Sequence, residues 1–236
     1  MEDIKSSEEV FGARLLQEVG ESEESLESLL STLHPPSPQT GIPELNTLLH
    51  QSHQPRLSIS GRSLPLLLQI LTRLLSAPSN KTVVLIDLAS RFSVSWLDVH
   101  GSGSRLKISD LAHLHIFRPS AKNLENTLRS VEGYLLYGGH GSGGREFGGT
   151  VVFGGEGVGM GVEGKELGLG RPVVSVGWRG WLRVEREEAG GFGAGMSAEE
   201  VVGRREARWE VVERKGWRAV ADDSVGRGGE FRWKEE

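Results

Sequence analysis

The sequence contains no cysteine, which removes disulfide cross-links, thiolate nucleophiles and cysteine-held zinc or iron–sulfur centres together and fits a reducing compartment. It also has no run of about 18 apolar residues, the length a membrane-spanning helix needs. The opening Met-Glu-Asp-Ile-Lys-Ser-Ser-Glu-Glu is acidic and lacks the apolar centre of a signal peptide, so neither a membrane association nor secretion is expected. A basic excess is missing too. The first thirty residues carry nine acids against two bases, a net of −7 out of the whole chain's −5, which leaves the remainder at +2. A nearly neutral body excludes the global positive field that drives non-specific nucleic-acid binding but leaves room for a local basic patch.

A chain of 236 residues and 25.7 kDa is long enough for one large α/β domain with an appended segment. Its most informative stretch is residues 81–97, Lys-Thr-Val-Val-Leu-Ile-Asp-Leu-Ala-Ser-Arg-Phe-Ser-Val-Ser-Trp-Leu. The run Val83-Val84-Leu85-Ile86-Asp87 is short and rich in β-branched residues, which predicts a strand. Apolar residues without alternation predict a strand covered on both faces, as in a parallel sheet between helices. Asp87 then stands at the C-terminal end of that strand, where open α/β sheets place their ligand crevices. Equally, a carboxylate there can fold back on downstream amides and simply form the turn.

Upstream, Val10, Phe11, Leu15, Leu16, Val19, Leu26, Leu29, Leu30 and Leu33 recur at spacings of three, four and seven, which predicts an amphipathic helical segment with Gly20 as a break. Its apolar stripe either packs on the body or docks on a partner. Pro35, Pro36 and Pro38 stop any helix and read as an extended linker. The chain thus divides into an acidic helical segment with its linker, residues 1–39, and an α/β domain, residues 40–236.

The segment Gly41-Ile-Pro-Glu-Leu-Asn46-Thr-Leu-Leu49 resembles the stretch that leads into the nucleotide-binding strand of RecA/RadA-type recombinases and their eukaryotic, fungal-like paralogues. Asn46 stands where that family usually has aspartate. The family continues with a strand, a phosphate-binding loop and a helix, and this chain offers Arg56-Leu-Ser-Ile-Ser-Gly61-Arg62-Ser63 followed by an apolar run from Leu64 to Leu75. The loop chemistry is missing. A phosphate loop G-x-x-x-x-G-K-[ST] supplies clustered amides, a lysine for the β- and γ-phosphates and a hydroxyl for magnesium. Here Gly61 is the one glycine, and Leu64 and Pro65 replace the lysine and hydroxyl; proline is comfortable at a helix start, so the helix survives the loss. Asp87-Leu-Ala-Ser-Arg-Phe92 is similar to the family's Asp-x-x-x-x-Phe strand exit, a strand that precedes the one carrying the metal acid. Gly61, Arg62 and Asp87 are therefore the residues through which any remnant nucleotide site would act.

Residues 111–117 read as a further strand, with His113 and His115 on one face; two histidines alone do not make a metal site. Leu124, Leu128, Val131, Leu135 and Leu136 predict a helix over 123–137, matching the family's helix before the metal-acid strand, and no apolar run ending in aspartate follows it. Residues 138–170 hold 15 of the 33 glycines. Gly139-His-Gly-Ser-Gly-Gly144 spells a dinucleotide fingerprint but follows a helix instead of opening one, and Gly159-Met-Gly-Val-Glu-Gly-Lys165-Glu166 copies a phosphate loop only as far as its lysine. His140 with Ser142 would be the pair of a small serine hydrolase, without the G-x-S-x-G elbow or a placed carboxylate. Phe147-Gly-Gly-Thr-Val-Val-Phe153 predicts a strand.

In residues 173–186 alternation puts Val174, Val176, Trp178, Leu182 and Val184 on one face and Arg179, Trp181, Arg183 and Glu185 on the other. The second face is either a solvated edge or a basic, aromatic platform for single-stranded nucleic acid. Ser197-Ala-Glu-Glu200 is a capping box opening a charged surface helix over 198–215; Trp209, Trp217, Phe231 and Trp233 read as packing groups.

The resemblance implies a RecA-like fold, a mostly parallel sheet flanked by helices. It implies a non-catalytic subunit of a nuclear homologous-recombination assembly, without a cofactor or a metal, that binds another RecA-like recombinase or paralogue subunit, with single-stranded DNA as a second ligand. Two alternatives stay open: a DNA-dependent ATPase with an unconventional nucleotide site, and a serine hydrolase using His140 and Ser142.

Overall fold

The computed structural model describes residues 39–52, 54–97, 106–154, 172–188, 195–222 and 229–234, with the side chains of 212–214 excepted. They belong to one compact unit, Ser37–Glu236. The expected N-terminal amphipathic segment, the Gly159-to-Glu166 stretch and the rest of the glycine-rich tract from residue 155 on lie outside the described residues.

The chain runs α1 (Pro43–Ser52), β1 (Leu57–Gly61), α2 (Leu64–Leu75), β2 (Thr82–Asp87), α3 (Ile108–Leu111), β3 (Leu114–Phe117), α4 (Leu124–Tyr137), β4 (Phe147–Phe153), β5 (Pro172–Val176), β6 (Leu182–Arg186), α5 (Ala198–Gly203), α6 (Arg205–Arg214), β7 (Trp217–Ala221) and β8 (Glu230–Trp233). The strands form one eight-stranded sheet in the order β3-β2-β4-β5-β1-β6-β7-β8. Neighbours from β3 through β6 are parallel, and β7 and β8 are added antiparallel. The protein is therefore α/β with a mostly parallel sheet.

Strand alternation explains the layers. On β2 every residue is buried: Val83 and Leu85 join the core under α1 and α2, while Val84 and Ile86 join a second core with Leu124, Leu128 and Val131 of α4. Val151 and Val152 of β4 divide the same way. Two covered faces are what an unbroken Val/Ile/Leu run demands. Beyond β5 the pattern changes to strict alternation, with buried and less buried residues trading places along β5, β6, β7 and β8. There only one face is apolar. On the other, Ser58 bonds Ser175 at 3.1 Å and Arg218 pairs with Glu185.

α2 is the best-buried helix: Leu66, Leu67, Ile70, Leu71, Leu74 and Leu75 all face the sheet, following the 3.6-residue period. Ahead of it, α1 is fixed by Asn46, whose side-chain oxygen accepts from the amide and the hydroxyl of Thr40, both at 2.8 Å.

Three sequence expectations change. The strand read over 111–117 begins at Leu114, because Asp110 caps back on the Lys107 amide and residues 108–111 form the helix α3 instead. The stretch 173–186 is two strands, β5 and β6, on opposite sides of β1; Ile59 is in register with Val176 on one side and with Leu182 on the other. The linking residues cross β1 so closely that a Cβ on Gly180 would lie 2.6 Å from the carbonyl oxygen of Ser58. The helix expected over 198–215 is broken at Arg204 into α5 and α6, although the Ser197–Glu200 capping box forms in both directions. Trp217, Phe231 and Trp233 pack and stack in the core, whereas Trp209 is exposed.

Candidate functional site

The C-terminal ends of the parallel strands bring Gly61, Asp87, Phe117, Phe153 and Val176 to one edge of the sheet, the edge where ligand crevices of α/β sheets lie. Only Arg62 and Ser63 separate β1 from α2. A phosphate loop needs a wide arc of free amides, and these two residues cannot form one. Gly61 has φ +76°, and a Cβ there would meet the Val184 carbonyl oxygen at 2.4 Å. The next amide, that of Arg62, donates to the same carbonyl at 2.9 Å. Ser63 caps α2 without a side-chain bond, and proline occupies its first turn. Gly61 and Arg62 are thus the stitch that binds β1 to β6.

Asp87 is 0% exposed. Its carboxylate accepts the amide of Arg91 at 3.2 Å, the amide of Phe92 at 2.8 Å and the Nε of Arg118 at 3.3 Å. The guanidinium of Arg118 also donates to the Phe92 carbonyl at 2.8 Å. Three N–H donors converge on two oxygens, and the aspartate closes the turn after β2, with Ser90 at φ +52°. The turn-forming alternative accounts for the two amide bonds, and the third comes from Arg118 at the end of β3. Arg118 was legible only as the end of a strand; its pairing depends on β3 lying beside β2, which no local signal encodes.

The helix α4 is followed by an apolar strand, β4, and the residue after Phe153 is Gly154, at φ +83° with its amide on the Val176 carbonyl at 3.0 Å. Among the described residues this strand exit carries no carboxylate. Among the described residues no group of three His, Cys, Asp or Glu side chains is arranged to hold a metal ion.

The surface expected to bind nucleic acid is rearranged. Trp181 is 9% exposed and its indole Nε1 donates to the Arg56 carbonyl at 3.1 Å, so it cannot offer a face for base stacking. The crossing over β1 interrupts the alternation that put it outside. Trp178, assigned to the inner face by the same alternation, is 59% exposed, and the Arg179 guanidinium lies 4.0 Å from the centroid of its ring. Arg183 is exposed and paired with Glu185 at 2.8 Å. Of the three candidates, Arg179 and Arg183 are at the surface, and Trp178 takes the place of Trp181.

At the opposite edge, His113 Nδ1 and His115 Nε2 each lie 2.9 Å from the hydroxyl of Ser142, and His115 Nδ1 lies 2.9 Å from the hydroxyl of Tyr134. Ser142 is 3% exposed. His140 does not touch that hydroxyl: its Nε2 meets the carbonyls of Tyr134 and Leu135 at 3.1 and 3.0 Å, and its Nδ1 accepts the Ser142 amide at 3.3 Å. The hydrolase pair is therefore not formed, and the serine is enclosed. Burial, helped by the Arg145 charge and opposed by Asp110, holds His113 below its ordinary pKa. Burial, with the neighbouring His140 and His113, does the same for His115.

No protein-family model matches the chain, and no curated protein matches it.

Proposed function

We propose that the chain is a non-catalytic, RecA-like recombinase-paralogue subunit that supports homologous-recombination repair in the nucleus by binding another RecA-like recombinase or paralogue, with single-stranded DNA as a second ligand of the assembly. The observation that carries this reading is the two-residue connection Arg62–Ser63 between β1 and α2: strand and helix stand in the order the resemblance implies, and the span that would hold phosphate is closed by the bond to Val184. Further support comes from the exits of β2 and β4. Asp87 is consumed by its turn and by Arg118, and Gly154 follows the strand where the family resemblance implies a metal acid. A protein built this way acts through its surfaces. The exposed Trp178 with Arg179 offers the aromatic and basic character that stacks unpaired bases.

Affinity purification of the tagged full chain from nuclear extract tests the proposal. A RecA-type ATPase should co-purify, and Leu29→Asp with Leu33→Asp should abolish its recovery by placing charge on the apolar stripe. Repeated purification without any such ATPase defeats the reading.

A further inference from the structure

The cluster of His113, His115, His140, Ser142 and Tyr134 has no part in the proposed binding role, and its hydrogen count makes it sensitive to protons. The bonds of His140 assign one tautomer. Nε2 faces two carbonyls and must carry the proton, while Nδ1 faces the Ser142 amide and must be bare. A proton added at Nδ1 would turn an acceptor into a donor pointed at another donor.

His113 and His115 are more tolerant. Either can take a proton alone, because the Ser142 hydroxyl can accept from the charged ring and donate to the neutral one. Both together are disfavoured, because two positive rings would then be held against one buried hydroxyl. His140 is also in ring contact with His115, centroids 4.9 Å apart, and with Tyr134, 5.0 Å apart, so charge on it is felt by the rest of the cluster.

We propose that this cluster is an acid-released latch with His140 as its trigger, holding the turn 138–143 against the edge strand β3 and the end of α4 while the rings are neutral and freeing it on protonation. The charges that face the cluster are those of Asp110 on α3 and Arg145 on the turn, joined to each other at 2.8 Å. Arg145 also donates to the Leu75 carbonyl at 3.0 Å. These bonds do not depend on histidine, so they keep the far end of the turn attached and make the opening local. What opening uncovers is the Ser142 hydroxyl and the His115 ring on β3, the outermost strand of the sheet.

Amide hydrogen exchange of the full chain, read by mass spectrometry at pH 7.5 and 5.5 and corrected for intrinsic rates, tests the latch. Protection of residues 139–143 should fall at least tenfold at pH 5.5, with β2 unchanged. His140→Gln supplies a donor and an acceptor without a titrating proton, and should keep the protection at both pH values. Should that variant not fold, an NMR titration of the unaltered protein gives the same decision: the His140 ring and the Ser142 amide should titrate together. The latch is overturned by equal protection at the two pH values, by an equal fall in the folded His140→Gln variant, or by a Ser142 amide that does not follow the His140 ring.

Discussion

The amide of Arg62 and the carbonyl of Val184 are 2.9 Å apart, and this bond spends one of the few backbone donors available between β1 and α2 on the neighbouring strand. Ligands stabilise a fold only through a native site with useful affinity. Saturating Mg-ATP should therefore leave the melting temperature where buffer leaves it. A clear ATP-dependent rise in a thermal-shift scan would defeat the non-catalytic reading.

Asp87 and Arg118 are 3.3 Å apart, the carboxylate enclosed and the guanidinium half-exposed. Removing one partner of a buried pair costs about 3–5 kcal/mol, and the exposure of Arg118 places this pair at or below the lower end. Asp87→Ala also strips the acceptor from the amides of Arg91 and Phe92. The variant should lose about 3 kcal/mol in urea unfolding yet still recover its partner when kept folded. Unchanged stability would remove the aspartate from the turn.

Trp178 and Trp181, three positions apart, should separate surface from core. Trp181→Ala empties a packed site and removes the indole bond to the Arg56 carbonyl, a change that costs about 3–5 kcal/mol. Trp178→Ala should cost under about 0.5 kcal/mol, as surface substitutions do, while weakening single-stranded DNA binding in a fluorescence-anisotropy assay. If the two variants unfold at the same urea concentration, the burial difference described here is wrong.

Stability should also depend on pH near neutrality. His113 and His115 have folded pKa values below the ordinary 6.5, so the unfolded chain takes up protons first as pH drops. Their contribution is complete above pH 6.5 and is lost as pH falls through the lowered folded values. Asp110 adds a second, more acidic step. Burial raises its pKa, but the Arg145 hydrogen bond, the Lys107 amide and the two positive charges outweigh it and hold the carboxyl below 3.8. Its contribution is present above that value and is lost below it. Urea unfolding from pH 7.5 to 5.5 should show declining free energy, flattened in a folded His113→Asn, His115→Gln variant. An unchanged slope would detach the loss from these rings.

Much of the architecture was written locally. The unbroken apolar run of β2 announced two covered faces, the spacing in α4 gave the buried Leu124, Leu128 and Val131 but also named Leu136, which is exposed, and the Ser197–Glu200 pair marked a helix start within one residue. Glycine did not disclose its reasons: Gly61 read as the remnant of a phosphate loop and Gly180 as part of one alternating strand, but each is required by a carbonyl from a strand distant in sequence.

What the sequence by itself determined is the class of β1, β2, β4, α2 and α4 and the lack of a lysine–hydroxyl pair after Gly61, because periodicity and that pair are properties of adjacent residues. Only the tertiary structure decided which groups meet. Asp87 found Arg118 across 31 positions and Trp181 found Arg56 across 125. Ser142 gathered His113 and His115 although His140 is nearer in sequence. The physical reason is that strand order is set by burying whole faces together. A side chain's partner belongs to the neighbouring strand, and no local pattern of residues names that neighbour.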